Sequence, residues 1–333
     1  MSDIKKTKEW GDITGSYYAR KKVVETAYKI FRALLLFGLC FLILQPLLDK
    51  ISVSFMGTQD LYDGTVISIP RSFTIENYSL VVSLINYWSS LLQTVFIVLF
   101  NSLLQITACT LAGYSFARFK FPLKGFWFFC VMLIIIVPPQ TIMTSLYLNF
   151  RFFDVFGLIR LITGNTVNLL NSFMGLFLLS ATGMGLKSGL YIFMLRQYFR
   201  GIPKELEEAA WIDGCGKLKT FIRIMLPDAM PMLTSCFLFS FVWQWTDSFY
   251  TTLFLSNYTM LSRGLGGLAD RYAQWYTQVF VSEQGGAFAF APVAQTQMII
   301  ATGMLMCLIP LILLYLVAQR AFVESLSQTG IKM

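Results

Sequence analysis

The chain has 333 residues, 56% of them hydrophobic and only 13% charged, with a mean hydropathy of +0.63. A soluble domain carries about 25% charged residues, so a soluble globular fold is excluded and an all-α, multi-pass membrane protein is expected. The absence of histidine removes His-dependent nucleophiles, His-ligated metal sites and histidine pH switching. The net charge of +8 has its explanation in topology, not in nucleic acid.

Residues 1–29 form a basic amino-terminal segment. Apolar runs near the roughly 20 residues needed to cross a bilayer then predict six transmembrane helices at Ile30–Leu48, Trp88–Phe116, Gly125–Leu148, Gly175–Phe199, Met230–Leu255 and Val293–Phe322. The first run is too long for a signal-peptide core, and no small-x-small site follows it, so it reads as a retained anchor. Residues 30–333 make up the transmembrane domain. Lys and Arg crowd into the amino terminus, the link containing Arg118, Lys120 and Lys124, the stretch from Arg196 to Arg223, and the tail. Six lie opposite: Lys50, Arg71, Arg151, Arg160, Arg263 and Arg271. The positive-inside rule therefore predicts cytoplasmic termini, and six spans return the chain to its starting side. Cys40, Cys109, Cys130, Cys215, Cys236 and Cys307 contain no CxxC pair and read as small buried hydrophobes.

In the third span "VPPQ" predicts a kink at Pro138 and Pro139, with the polar Gln140 beside it. In the fourth, "ATGMGLKSG" surrounds Lys187 with glycines, which predicts a broken helix lining a water-accessible cavity. Lys187 would bind an acidic group, extend outward, or pair with Asp247.

Between the fourth and fifth spans, residues 203–227 stay polar and punctuated. Pro203 suits a first helical turn, and Glu205, Glu207 and Glu208 complement its positive end. Ala209 and Ala210 are small enough for a partner surface to approach. Gly214 and Gly216 end this helix. Leu218, Phe221, Ile222 and Met225 recur at helical spacing up to Pro227, giving a second short helix with an apolar stripe. Such a pair could lie on lipid headgroups, but its acidic first helix suits a protein partner better.

The fifth span carries "FVWQWTDSF". At 1.5 Å per residue, Gln244 lies about 21 Å and Asp247 about 25 Å from Met230. Trp243 and Trp245 flank Gln244, and aromatic faces beside hydrogen-bonding groups suit a sugar. An interfacial aromatic belt with a capped polar residue is the plainer reading. Neither "GCGKLKT", with Trp211 at the first glycine position and Leu218 at the Ser/Thr position, nor "GLGGLA" at 264–269 makes a nucleotide loop.

The sequence Glu-Ala-Ala, three residues, Gly, nine residues, Ile-x-Leu-Pro, on Glu208, Ala209, Ala210, Gly214, Ile224, Leu226 and Pro227, resembles the EAA signature of binding-protein-dependent ABC importer permeases. "IPRSFTIENYSLVV", "VPPQTIMTSLYL" and "AQRAFVESLSQTGIKM" extend the likeness from about Ile30 to the end and point to the carbohydrate, maltose-type second permease. The basic glycine-rich ending of that family survives only in Gly330 and Lys332, and Thr246 and Ser248 depart from its Trp-Asn-Asp-Phe run. The resemblance implies an ABC type I importer permease fold in a bacterial or archaeal plasma membrane. It also implies that residues 203–227, Asp213 included, couple to a cytoplasmic ABC ATPase dimer, with Glu208 contacting it and Gly214 allowing the turn. ATP and Mg would belong to that ATPase, and this chain would hold no cofactor or metal and perform no catalysis. The other implied partners are a second permease subunit, an extracellular solute-binding protein, membrane lipid and an oligosaccharide. Gln140, Lys187, Trp243, Gln244, Trp245 and Asp247 are its candidate path residues. A secondary transporter, a membrane scaffold or sensor for an ATPase, and a peptide or amino-acid cargo remain as alternatives.

Overall fold

The computed structural model describes residues 2–67, 69–284 and 290–331. Among them the structure is helical, with two isolated β-bridges, Met56 with Phe73 and Phe153 with Val167. It divides into two compact units at Thr74.

The first unit is dominated by α1 (Ser2–Ser54), which continues through residue 29 without a break. Its apolar stretch from Lys21 to Ser54 is long enough to span a membrane, and the most apolar 18-residue window in it has no buried residue. A helix apolar on all sides and uncovered by protein is matched to lipid. Beyond it, Phe55 stacks on Phe73 with centroids 4.7 Å apart. The Asp60 carboxylate accepts the backbone N–H groups of Arg71 and Ser72, both at 2.8 Å.

The second unit contains α2 (Glu76–Ile85), α3 (Tyr87–Arg118), α4 (Lys124–Ile136), α5 (Met143–Arg151), α6 (Leu158–Thr163), α7 (Phe173–Ala181) and α8 (Ser188–Gly201). Next come α9 (Glu205–Ile212), α10 (Lys217–Thr220), α11 (Leu226–Asp228), α12 (Met230–Thr246), α13 (Phe249–Phe254), α14 (Leu261–Gly266), α15 (Leu268–Gln284) and α16 (Val293–Ile331). The proline-free α3 is the axis of this unit and packs on α7, α8 and α12. Its closest approach is to α8. A Cβ on Gly113 would stand 2.9 Å from Leu195 Cβ and 3.2 Å from the Arg196 nitrogen, so only glycine allows this separation.

The six expected spans are not six uninterrupted helices among the described residues. Three helical stretches, Lys21–Ser54, Tyr87–Arg118 and Val293–Gln319, are long and apolar enough to cross unaided, and counting two bent pairs as spans makes five. The third predicted span bends by 101° between Lys124–Ile136 and Pro139–Arg151, because Pro139 cannot donate the next helical hydrogen bond and Pro138 keeps Val137 extended. The fourth predicted span breaks between α7 and α8, where Gly183 and Lys187 take positive φ of +71° and +61°. Neither piece alone reaches membrane thickness. The fifth predicted span, drawn to Leu255, stops at Thr246, where Asp247 turns extended before α13.

Two apolar cores sit along α3. One gathers Ile97, Leu176, Leu179, Tyr250 and Phe254; the other gathers Ile106, Tyr191, Leu195, Phe199, Phe221, Met225 and Cys236. Cys109, Cys236 and Cys307 are buried as expected, Cys130 and Cys215 are half-buried, and Cys40 on α1 is exposed. Between the cores runs a polar layer.

Candidate functional site

Residues 203–227 fold as a helix, a glycine turn and a second, irregular helix. In α9, three acidic side chains occupy the first turn. Its carboxyl end closes with Gly214 at φ +79°, the Gly214 N–H donating to the Trp211 carbonyl at 3.0 Å and the Cys215 N–H to the Ala210 carbonyl at 2.9 Å. This paired closure satisfies two terminal carbonyls and needs a left-handed residue at position 214. Past Gly216, α10 widens into a single π turn over Phe221–Met225, where the Leu226 N–H reaches back to the Phe221 carbonyl. Pro227 offers no N–H to the Arg223 carbonyl, so the regular ladder cannot continue through it. Contrary to expectation, Pro227 does not end the helix, since it lies within α11. The chain bends after it, by 74° between Lys217–Asp228 and Met230–Thr246.

The segment is anchored from behind. Phe221 and Met225 are buried in the second core, so only half of the expected apolar stripe faces outward. The Glu207 carboxylate accepts the Tyr114 hydroxyl at 3.0 Å and pairs with Arg118 Nε at 3.5 Å. A second guanidinium nitrogen of Arg118 donates to the Ile202 carbonyl at 2.6 Å. The end of α3 thus holds both α9 and the peptide that leads into it. Sequence reading missed this pair: three acids in four residues give no sign of which one turns inward. Ala210, three positions after Glu207 and on the same helical face, turns inward with it and is 3% exposed. Ala210 thus packs inward, leaving Ala209 as the small residue on the open face.

The opposite face is open. Glu208, Ala209, Asp213, Gly214 and Pro227 are exposed, while Ile224 and Leu226 are half-buried. Leu206, Trp211, Ile212, Leu218 and Ile222 are also exposed. Large apolar groups uncovered around a rigid, charged helix form the kind of patch that marks an interaction surface.

The candidate path residues separate into two environments. Gln244 is buried at the centre of the polar layer. Its Oε1 accepts Asn101 Nδ2 at 2.6 Å, and its Nε2 donates to Gln105 Oε1 at 2.7 Å and Ser240 Oγ at 2.9 Å. Gln105 Nε2 continues to the Leu186 carbonyl at 2.6 Å and Ser188 Oγ at 2.8 Å, tying α3 and α12 to the break before α8. Asn101 and Gln105 also went unremarked in the sequence, being isolated amides in an apolar run. Asp247 Oδ2 accepts the Thr251 N–H at 3.0 Å and its hydroxyl at 3.2 Å. Gln244 and Asp247 line a cavity of about 20 Å³, room for a single water at most and not for a sugar ring. Trp245 is buried, its indole N–H donating to the Cys307 carbonyl at 3.1 Å.

Trp243 and Lys187 instead lie exposed at the edge of the unit, with the Lys187 Nζ 5.0 Å from the centre of the Trp243 ring. Among the described residues no ion pair joins Lys187 to Asp247. Gln140 is exposed at the bend of the third span, and nothing joins it to this pair.

Comparison with known proteins follows the same lines. The profile of a family described as binding-protein-dependent transport system inner membrane component matches residues 109–328. The maltodextrin transport system permease protein MdxG of Bacillus subtilis is 26% identical over 91% of this chain and 96% of its own length. The arabinooligosaccharides transport system permease protein AraQ of Halalkalibacterium halodurans is 25% identical over 88% and 93%. A crystal structure of a bacterial ABC transporter involved in the import of the acidic polysaccharide alginate superposes with a TM-score of 0.64 at 19% identity. The superposition covers 89% of this chain and 96% of that one, a likeness of fold.

Proposed function

The chain belongs to the family of binding-protein-dependent transport system inner membrane components, and from that premise we propose that its exposed segment 203–227 is the handle through which an ATPase moves it. It is a multi-pass permease subunit of an ABC importer. The observation that carries the coupling role is the two-sided build of α9: Glu207 and Ala210 are locked inward, while Glu208, Ala209, Trp211 and Ile212 stay uncovered. A lever transmits force only if its root is stiff and its tip is free to be gripped.

In this reading the ATPase dimer closes on ATP and Mg held in its own sites, and this chain contributes no cofactor and no covalent step. A second permease subunit completes the path and an external solute-binding protein delivers the cargo. The distribution of Lys and Arg supports cytoplasmic termini and a cytoplasmic handle. The cargo is an oligosaccharide, as the names of the maltodextrin and arabinooligosaccharide relatives suggest. The cavity beside Gln244 is too small for a sugar, so contact with cargo falls to the exposed edge of Trp243 and Lys187, where a ring face and an ammonium group are offered to the space between subunits.

Reconstitution of the four-component complex tests this. Gly214→Asp is expected to abolish uptake and binding-protein-stimulated ATP hydrolysis while the loaded binding protein still docks. Unchanged stimulation would remove the coupling role. Uptake by this chain alone, driven by a proton gradient, would make it a secondary transporter. Stimulated hydrolysis with no movement of radiolabelled oligosaccharide would make it a sensor.

A further inference from the structure

At the root of the handle lies a second feature, which shares Glu207, Trp211 and Lys217 with it. A cavity of about 590 Å³ opens where α3 leaves the membrane span, lined by Arg118, Phe119, Lys120, Glu207, Trp211 and Lys217 among others. Three cations face one carboxylate, and that carboxylate is already engaged by the Tyr114 hydroxyl and Arg118. Lys120 and Lys217 form no ion pair among the described residues, and Lys217 Nζ rests 5.9 Å from the Phe119 ring centre. Arg118 has a side chain only 6% exposed, and its Nε is held 3.5 Å from the Glu207 carboxylate. Nearby, the Lys124 ammonium caps the Phe119 carbonyl at 2.8 Å.

We infer that this cavity binds the phosphate of an anionic phospholipid headgroup, bridging the end of α3 to α10. Its excess positive charge, with Lys120 and Lys217 unpaired, calls for a group rich in anionic oxygens. Its position at the last residues of a membrane-length apolar helix places it in the headgroup layer, where basic pockets between spans take such lipids. The aromatic walls suit the glycerol backbone at that depth. A free phosphate ion shares the chemistry but has no use for those walls.

The test uses the assembled transporter in nanodiscs containing a photoactivatable phosphatidylglycerol, with crosslinks mapped by mass spectrometry. Labelling is expected within residues 118–121 or 211–217. Lys120→Gln with Lys217→Gln should weaken it by roughly 25-fold, about fivefold for each ammonium removed. The two Arg replacements should restore it. Both lysines are exposed, so neither change threatens folding. A matching phosphatidylcholine probe that labels the same residues equally would overturn the assignment, as would absence of any label there. Competition by millimolar inorganic phosphate would reassign the site to a soluble anion and sink the lipid. Labelling seen only after the ATPase is stripped away would assign the cavity to an acidic side chain of that partner. Each outcome is read as lipid occupancy rather than transport, so it can fail without touching the function proposed above.

Discussion

Arg118 Nε stands 3.5 Å from the Glu207 carboxylate, with both side chains 6% exposed. This joins the end of the longest span of the second unit to the first helix of the exposed segment. A pair so deeply buried gives little net stability compared with apolar groups of the same shape, but removing one partner strands a charge.

Glu207→Ala or Arg118→Ala alone should therefore cost about 3–5 kcal/mol, read as a clear fall in the thermal unfolding midpoint of the purified complex. Arg118→Met combined with Glu207→Met should recover most of it. A double variant as unstable as the sum of the singles would show that the two groups act independently.

Gly214 faces open space, with nothing within 4 Å of an added Cβ, so its constraint is purely one of backbone conformation. Replacement by Ala or Val should cost about 1–2 kcal/mol through the left-handed φ, and Asn should cost less because it tolerates that region. Binding-protein-stimulated ATPase activity is expected to fall in the order Asn, Ala, Val. A reversed order, set by side-chain size at a partner surface, would replace conformation with contact as the reason.

Gln244→Ala removes the hub of the polar layer and strands Asn101 Nδ2, while Gln105 Oε1 keeps only the Ser240 hydroxyl. At about 1–3 kcal/mol for each stranded group, the unfolding midpoint and uptake should drop together. Trp243→Ala and Lys187→Ala, at an exposed edge, should lower uptake while leaving the midpoint in place. Uptake at the wild-type level in both edge variants would end their role in the path.

Asp60 gives a pH dependence outside the membrane. The backbone N–H of Ser72, aided by the Ser72 hydroxyl and the Arg71 N–H and opposed by desolvation, holds its carboxyl below the ordinary carboxylate range. The folded pKa is depressed, so its contribution is present in full above the unfolded value of about 3.9 and is lost as pH falls through the folded one. Amide exchange at Ser72 should accelerate below about pH 4 and lose that dependence in Asp60→Asn, where exchange is fast throughout. Exchange insensitive to acid in the native protein would contradict it.

The membrane class, the bends at Pro138–Pro139 and at the glycines around Lys187, and the glycine turn at position 214 were all legible in the chain. Each follows from a local rule: apolar length, a missing N–H, or a residue that tolerates positive φ. The end of the fifth span was not legible in the same way, since average hydropathy does not register a backbone that turns extended at Asp247.

Which polar groups meet was another matter. Gln244 and Trp243 are adjacent in sequence, yet one is the buried centre of a hydrogen-bonded layer and the other an exposed ring beneath a lysine. Glu207 and Glu208 are equally neighbours, and one closes inward on Arg118 while the other faces out. A helix rotates each successive residue by about 100°, so composition fixed the inventory of charges, amides and rings. Only the packing of α3 against α8, α9 and α12 decided which of them hold the subunit together and which are left for a partner.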